Sequence, residues 1–305
     1  MYFCVMKKNI VIVGLLITLF SLDVMGQDKG KSTTEHKISN QGVDFYISGG
    51  VFFGNKYTAA YYNGAPFNEN NLSYIFDNYS WKQSIDNLIT RNNHFISSSD
   101  PKIKLHEYPT NVKYTPAFSI QLAAKYRFNK HWGISLSYSF ARLKAQDIFT
   151  VSYNKVTTGN DIPDYLYYDI VAEENRSFFD LSAIYLFETK SIVKPFIEIG
   201  AQFNFVRVKS FDAIIEGQDF SLLDIYGGST YVANSNMQTF NTKYGGPGFG
   251  FSGAFGLKLA FNQYVSLDPA FYVAVTRLGL KGYSDFAFNY GLMVRIVMND
   301  SFFSK

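Results

Sequence analysis

Three observations predict an all-β fold: an eight-stranded antiparallel up-and-down transmembrane β-barrel with long extracellular loops and short periplasmic turns. The first is strict alternation of apolar and polar residues over segments of about ten residues, a length that crosses a bilayer when strands tilt by roughly 45°. The second is the N-terminal layout: Lys7-Lys8, an apolar run from Ile10 to Phe20, then Gly26 before Gln27, as in a secretory signal. The third is the alternation of long and short connections between an even number of strands, with both chain ends on the short-turn side.

Residues 1–26 read as the signal peptide, whose apolar run is too short to span a bilayer comfortably as a helix. Cys4, the one cysteine of the chain, precedes that run and leaves with it. The mature chain then has no thiol, which excludes disulfides and cysteine-bound metal. Residues 27–42 read as a polar periplasmic tail, 43–298 as the barrel and 299–305 as a C-terminal tail.

The first strand is Val43 to Phe53, with Phe45, Ile47, Val51 and Phe53 on one face and Asp44, Tyr46 and Ser48 on the other. A long segment from Gly54 to Tyr114 follows, with an amphipathic helical pattern from Leu72 to Ile89; it either caps the barrel mouth or folds back into it. Phe118–Phe128 and Trp132–Phe140 form a hairpin around Asn129-Lys130-His131. Beyond Arg142 the apolar phase flips to Phe149, Val151 and Tyr153, as a bulge or an exit from the membrane would produce. Asn154 to Arg176 reads as a second long loop. Phe179–Phe187 and Ile197–Phe205 are the fourth and fifth strands, and Lys209 to Gly246 the third long loop. Phe249–Phe261 and Val265–Thr276 form the second hairpin around Asn262-Gln263, and Phe286–Met298 closes the ring.

Composition narrows the function classes. Lys+Arg 28 against Asp+Glu 25 leaves a formal charge of +3, with no basic excess for a nucleic-acid face. Aromatics make up 18% of the chain, with 30 Phe and 23 Tyr, which suits strands and interfacial aromatic girdles. His36, His94, His106 and His131 share no metal-ligand spacing, and no serine–histidine pair with a third orienting group stands out. The expectation is a protein without catalytic residues, cofactor or metal.

Two constellations remain. Asp44, Lys125, Arg127, Glu198, Lys258, Asp268 and Arg295 all fall on the inward parity, in the short-turn halves of their strands. The chain order sets Asp44 between Arg295 and Arg127, and Lys258 between Glu198 and Asp268. Such charges either pair into a plug or line a narrow pore. Tyr61, Tyr62, Tyr165, Tyr167, Tyr168, Tyr226 and Tyr231 lie in the predicted loops, where tyrosine offers rigid area and a hydroxyl to a glycan or protein ligand, or packs the loops together.

The strand pattern from Phe45 to Met298, with phrases such as Lys194-Pro-Phe-Ile-Glu-Ile-Gly-Ala201, resembles the small outer-membrane barrels of the OmpA-barrel, OmpW and PorT-like kinds. The resemblance implies an outer-membrane location, contact with membrane lipid and insertion by the barrel-assembly machinery. That machinery reads a terminal aromatic residue, whereas here Phe302 and Phe303 stand just short of the end. An OmpW-like barrel implies a narrow channel for small or apolar solutes, and a PorT-like one an accessory role in a secretion or assembly complex.

Overall fold

The computed structural model describes residues 41–68, 70–93, 103–154, 163–189, 193–223, 244–262 and 264–299. The signal segment, most of the N-terminal tail, residues 300–305, Tyr226 and Tyr231 lie outside them. The elements in chain order are β1 (Gly42–Phe53), α1 (Lys56–Ala59) running into a 3-10 turn (Ala60–Tyr62), α2 (Ser73–Asp77), α3 (Tyr79–Asn93), β2 (Ile103–Glu107) and β3 (Lys113–Tyr114). They continue with β4 (Ala117–Arg127), β5 (Trp132–Asn154), β6 (Pro163–Leu186), β7 (Val193–Ile215), β8 (Gln218–Ser221), β9 (Pro247–Ala260), β10 (Val265–Arg277) and β11 (Ala287–Asn299).

Eight of these strands close a ring. Going round, β1 pairs with β4, then β5, β6, β7, β9, β10 and β11, and β11 returns to β1, every pairing antiparallel. Closure removes the exposed edges that an eight-stranded open sheet would carry. The eight segments expected from alternation coincide with these strands. Their outward residues form an exposed apolar belt: Phe118, Leu136, Ile199, Phe251 and Leu292 are all more than half exposed. Inward residues are polar or small and buried, among them Ser48, Gln121, Ser137, Asp180, Gln202 and Asn289.

The two short turns that follow β4 and β9 use one device. In Phe128-Asn129-Lys130-His131-Trp132, the Asn129 Oδ1 accepts from the His131 and Trp132 amides at 2.8 Å each. In Phe261-Asn262-Gln263-Tyr264-Val265, the Asn262 Oδ1 accepts from the Tyr264 and Val265 amides at 2.8 and 2.9 Å. An asparagine side chain that mimics a backbone turn fixes the hairpin register.

Above the belt the faces exchange chemistry without exchanging parity. The β5–β6 register runs unbroken from Trp132↔Tyr185 to Asn154↔Pro163, so the flip beyond Arg142 is no bulge in β5. Outward residues become polar at Arg142, Lys144 and Gln146, while inward residues become apolar at Leu143, Ala145, Phe149 and Val151. Lipid outside and a polar lumen inside give one pattern; water outside and a packed core inside give the other. β5, β6 and β7 therefore rise past the rim as a three-stranded wall, flanked by β2 and β3 on β5 and by β8 on β7. The stretch expected as a loop up to Arg176 is strand from Pro163 onward, and Tyr165, Tyr167 and Tyr168 sit on it.

Residues 54–93 pack on the inner face of this wall. Tyr62, Leu72, Ile75, Phe76, Ile85 and Ile89 bury against Phe149, Ile170, Val206, Phe211 and Ile215 in one apolar cluster. The long segment thus caps the mouth. The helical pattern Leu72–Ile89 is two helices, because Asn78 is extended (C-cap of α2), and its Oδ1 accepts from the Trp81 amide at 3.2 Å at the start of α3. The β7–β8 turn places Glu216 and Gly217 at φ 51° and 79°, the left-handed pair of a type I′ hairpin.

The exchange of faces makes a direct prediction. Leu122→Arg, in the belt, is expected to lower stability by about 2–4 kcal/mol in a bilayer, the cost of arginine facing lipid. Gln146→Arg, also outward but above the rim, is expected to stay within about 0.5 kcal/mol. Urea unfolding in lipid vesicles reads both, and equal costs would contradict the assignment of the rim.

Candidate functional site

The lumen is filled from the short-turn end upward. Asp44 lies opposite Lys125 on β4 and pairs with both Lys125, at 3.7 Å, and Arg127, at 3.0 Å. One level higher Arg295 Nη1 donates to Glu198 at 2.6 Å, with its guanidinium 5.0 Å from the Tyr46 ring centre and 5.4 Å from that of Phe196. Ser182 donates to the other oxygen of Glu198. Tyr46 in turn meets Ser135 Oγ at 3.2 Å. Above that, Gln202 bridges Asp180, at 2.7 Å, and the Tyr272 hydroxyl, while Ser48, Gln121 and Ser137 form a chain of 3.0 Å bonds.

The pairing differs from the one the chain order suggests. Asp44 faces Asn299 on β11, and Arg295 faces Ser48, four residues further in. Asp44 therefore takes Lys125 and Arg127, and Arg295 takes Glu198. Lys258 is opposite Lys194 rather than Glu198. Lys258 and Asp268 border one small cavity with Lys125 and Arg295, and no ion pair within 4.0 Å joins them among the described residues. The stagger that comes with tilted strands displaces each row against its neighbour, which position counted from strand ends does not capture.

Two cavities among the described residues of the lumen are small. The cavity at the Arg295 level holds about 10 Å³, and one between Ser48, Gln121 and Tyr272 about 20 Å³, each enough for about one water. His131, in the turn, meets the Leu186 carbonyl at 3.2 Å and stacks on Tyr185, whereas Ser135 engages Tyr46. Among the described residues no group of three His, Cys, Asp or Glu side chains is placed to hold a metal ion.

At the rim a second buried ion pair joins wall to cap. Arg176 and Glu174, two inward residues of β6 with fully buried side chains, pair at 2.5 Å. The Tyr62 hydroxyl donates to Glu174, Arg176 Nη2 donates to Thr58 Oγ1 at 3.3 Å, and the guanidinium sits 4.9 Å over the Tyr114 ring. Tyr62 and Thr58 come from the cap, so this cluster latches it to the barrel. Sequence parity placed the region in a loop and missed the pair.

Burial, and then the Glu174 carboxylate, push the Tyr62 and Tyr114 phenols above their usual range. A raised folded-state pKa contributes stability that is complete below the unfolded value near 10 and is lost as pH climbs toward the folded one. The cap is therefore expected to loosen above about pH 10. Protease sensitivity of residues 54–93 against pH checks this, and Tyr62→Phe should flatten the profile.

The tyrosines singled out in the loops divide into two groups. Tyr61 and Tyr62 are buried in the cap core, 4% and 1% exposed, and Tyr168 is buried with its hydroxyl donating to Glu216 at 2.8 Å. These pack the cap and offer no free face. Tyr165 and Tyr167 point outward from β6 at 46% and 70% exposed. His106 of β2, which the sequence did not single out for binding, lies 4.6 Å from the Tyr165 ring. Exposed Lys104 and Ile148 border the same outer face.

No family model matches the chain, and no curated protein does. Solved structures give matches of low similarity. Neisserial surface protein A is 12% identical over 83% of this chain and 96% of its own, with a TM-score of 0.38. The outer membrane protein OprG of Pseudomonas aeruginosa is 13% identical over 85% and 95%, with a TM-score of 0.36. Ail, the attachment invasion locus protein of Yersinia pestis, is 10% identical over 85% and 98%, with a TM-score of 0.33. These structural neighbours are small outer-membrane β-barrel proteins, and the chain is itself an eight-stranded antiparallel barrel by its own closed ladder.

Proposed function

We propose that this chain is a non-enzymatic outer-membrane barrel that holds a folded cap at the cell surface, and that the outer face of the wall binds a glycan or protein partner. The observation that carries the reading is the division of labour along β5–β7. At the belt level buried charges pair across the lumen beside cavities of about 10 and 20 Å³, while the level above has its own core and presents an exposed aromatic face. Tyr165 and Tyr167 with His106 give flat rings for stacking, and Lys104, Ser152 and Asp169 supply polar groups around them. Amphipathic rings of low conformational entropy are what such recognition surfaces use. The N-terminal signal pattern and the exposed apolar belt support membrane location, and long connections face the outside in such barrels.

Two experiments test this. Cysteine placed at Gln83 or Asn87 on α3 should react with a membrane-impermeant maleimide on intact cells, whereas cysteine at Lys130 or Glu188 should react only after lysis. Labelling of the short turns in intact cells would overturn the orientation. For recognition, the purified protein is screened on a glycan array and against outer-membrane extracts. Tyr165→Ser with Tyr167→Ser should weaken any captured ligand by about tenfold or more, the usual cost of losing an aromatic anchor. Binding that is indifferent to both would rule out this face.

A further inference from the structure

Outward residues just above the belt on β5, β6 and β7 form two rows. Phe140, Ser177 and Phe205 are the last row of the belt, joined by the registers Phe140↔Ser177 and Ser177↔Phe205. The next outward row is Arg142, Asn175 and Arg207, and the one after it carries Lys144 opposite Glu173, with Lys209 at the register shift of β7. These two rows thus carry four cations and one carboxylate, Glu173, and Asp212, opposite Val171, follows in the next outward row of β7. Arg142 pairs with Glu173, its side chain still 66% exposed, and Arg207, Lys144 and Lys209 are all exposed.

Their height decides what they meet. Two residues along a strand advance about 6–7 Å, and less along the normal when the strand tilts. The headgroup layer on each side of the hydrocarbon is about 5–7 Å thick. Arg142 and Arg207 therefore fall within the headgroups, not beyond them. Their stems continue the phenylalanine belt and their charged ends reach outward, as amphipathic side chains do at an interface. Adjacent strands are about 4.8 Å apart, so the two arginine positions stand about 10 Å apart with Asn175 between them in the register. Arginine binds phosphate through paired parallel hydrogen bonds, and lysine adds a point charge beside it.

We infer that Arg142, Arg207, Lys144 and Lys209 form a collar that binds the phosphates of lipid headgroups in the leaflet at the cap end of the barrel. The inference rests on the membrane reading above and adds the lipid class. It also gives the barrel a preferred annular lipid on one side, the side that carries the wall.

The test reconstitutes the full barrel in phosphatidylcholine vesicles with a minor fraction of spin-labelled phosphatidic acid, and compares its association with that of spin-labelled phosphatidylcholine. Wild type should favour phosphatidic acid, with each engaged cation contributing about fivefold at low ionic strength. The preference should shrink as salt rises. Arg142→Gln with Arg207→Gln should cut the preference by about 25-fold, leaving only that of the two lysines, and Lys130→Gln at the opposite end should change nothing. Equal association of both lipids with wild type, or a preference that the double change leaves undiminished, overturns the collar. Loss of the preference on adding glycerol phosphate at millimolar level would assign the cations to free phosphate instead. Failure to insert into phosphatidylcholine vesicles at all would remove the membrane reading itself, an outcome separate from the other three.

Discussion

Arg295→Met is expected to destabilise the barrel by about 3–5 kcal/mol, because it leaves the Glu198 carboxylate buried and uncompensated. Of the donors to that carboxylate among the described residues, Arg295 and Ser182, Ser182 alone would remain. Glu198→Gln combined with Arg295→Met should recover most of the loss, since neither partner is then an unpaired charge. Urea unfolding of the reconstituted protein gives the cycle, and a double change as costly as the sum of the singles would contradict the pairing. Planar-bilayer recording supplies an independent reading. Wild type should be electrically quiet, and Arg295→Met should conduct, because the guanidinium stacked between Tyr46 and Phe196 fills the layer that divides the two small cavities. Steady conductance by wild type would return the channel reading to first place.

Arg176→Met should cost a similar amount, about 3–5 kcal/mol, but spend it on a different part of the molecule. Glu174 would lose its ion pair, Thr58 its donor, and Tyr114 the cation over its ring. The cap should then open to protease at residues 54–93 while the belt strands stay protected. Glu174→Gln added to Arg176→Met should restore cap protection substantially. Simultaneous loss of cap and barrel would mean that the two unfold as one unit, contrary to the latch.

The fold was legible because a lipid-facing strand must alternate, and Phe118 to Phe128 or Phe249 to Phe261 can be read in no other register. The wall was harder to read for the converse reason. A strand that leaves the bilayer keeps its pleat but exchanges the chemistry of its faces, so Tyr165 and Tyr167 outward with Tyr168 inward looked like a loop of aromatics. Asp44, Glu198, Asp268 and Arg295 are buried, yet their partners depend on stagger, which parity does not encode. Asp44 and Arg295 lie near one end of neighbouring strands and still miss each other by four residues. Tyr62 and Glu174 were invisible as a pair because 112 residues separate them.

That separation carries a consequence for the order in which the molecule is built. The helices that form the cap are made between β1 and β4, but the platform they need is completed only when β5, β6 and β7 have paired. Thr58 waits 118 residues for Arg176, and contacts of such reach form slowly because a long loop must close first. Until then Leu72, Ile75, Ile85 and Ile89 have no apolar surface to bury against. The cap is accordingly expected to fold only after β5, β6 and β7 have paired, and, on the orientation proposed above, on the far side of the membrane. Pulse-labelled chains should show heat-resistant barrel strands before residues 54–93 gain protease resistance.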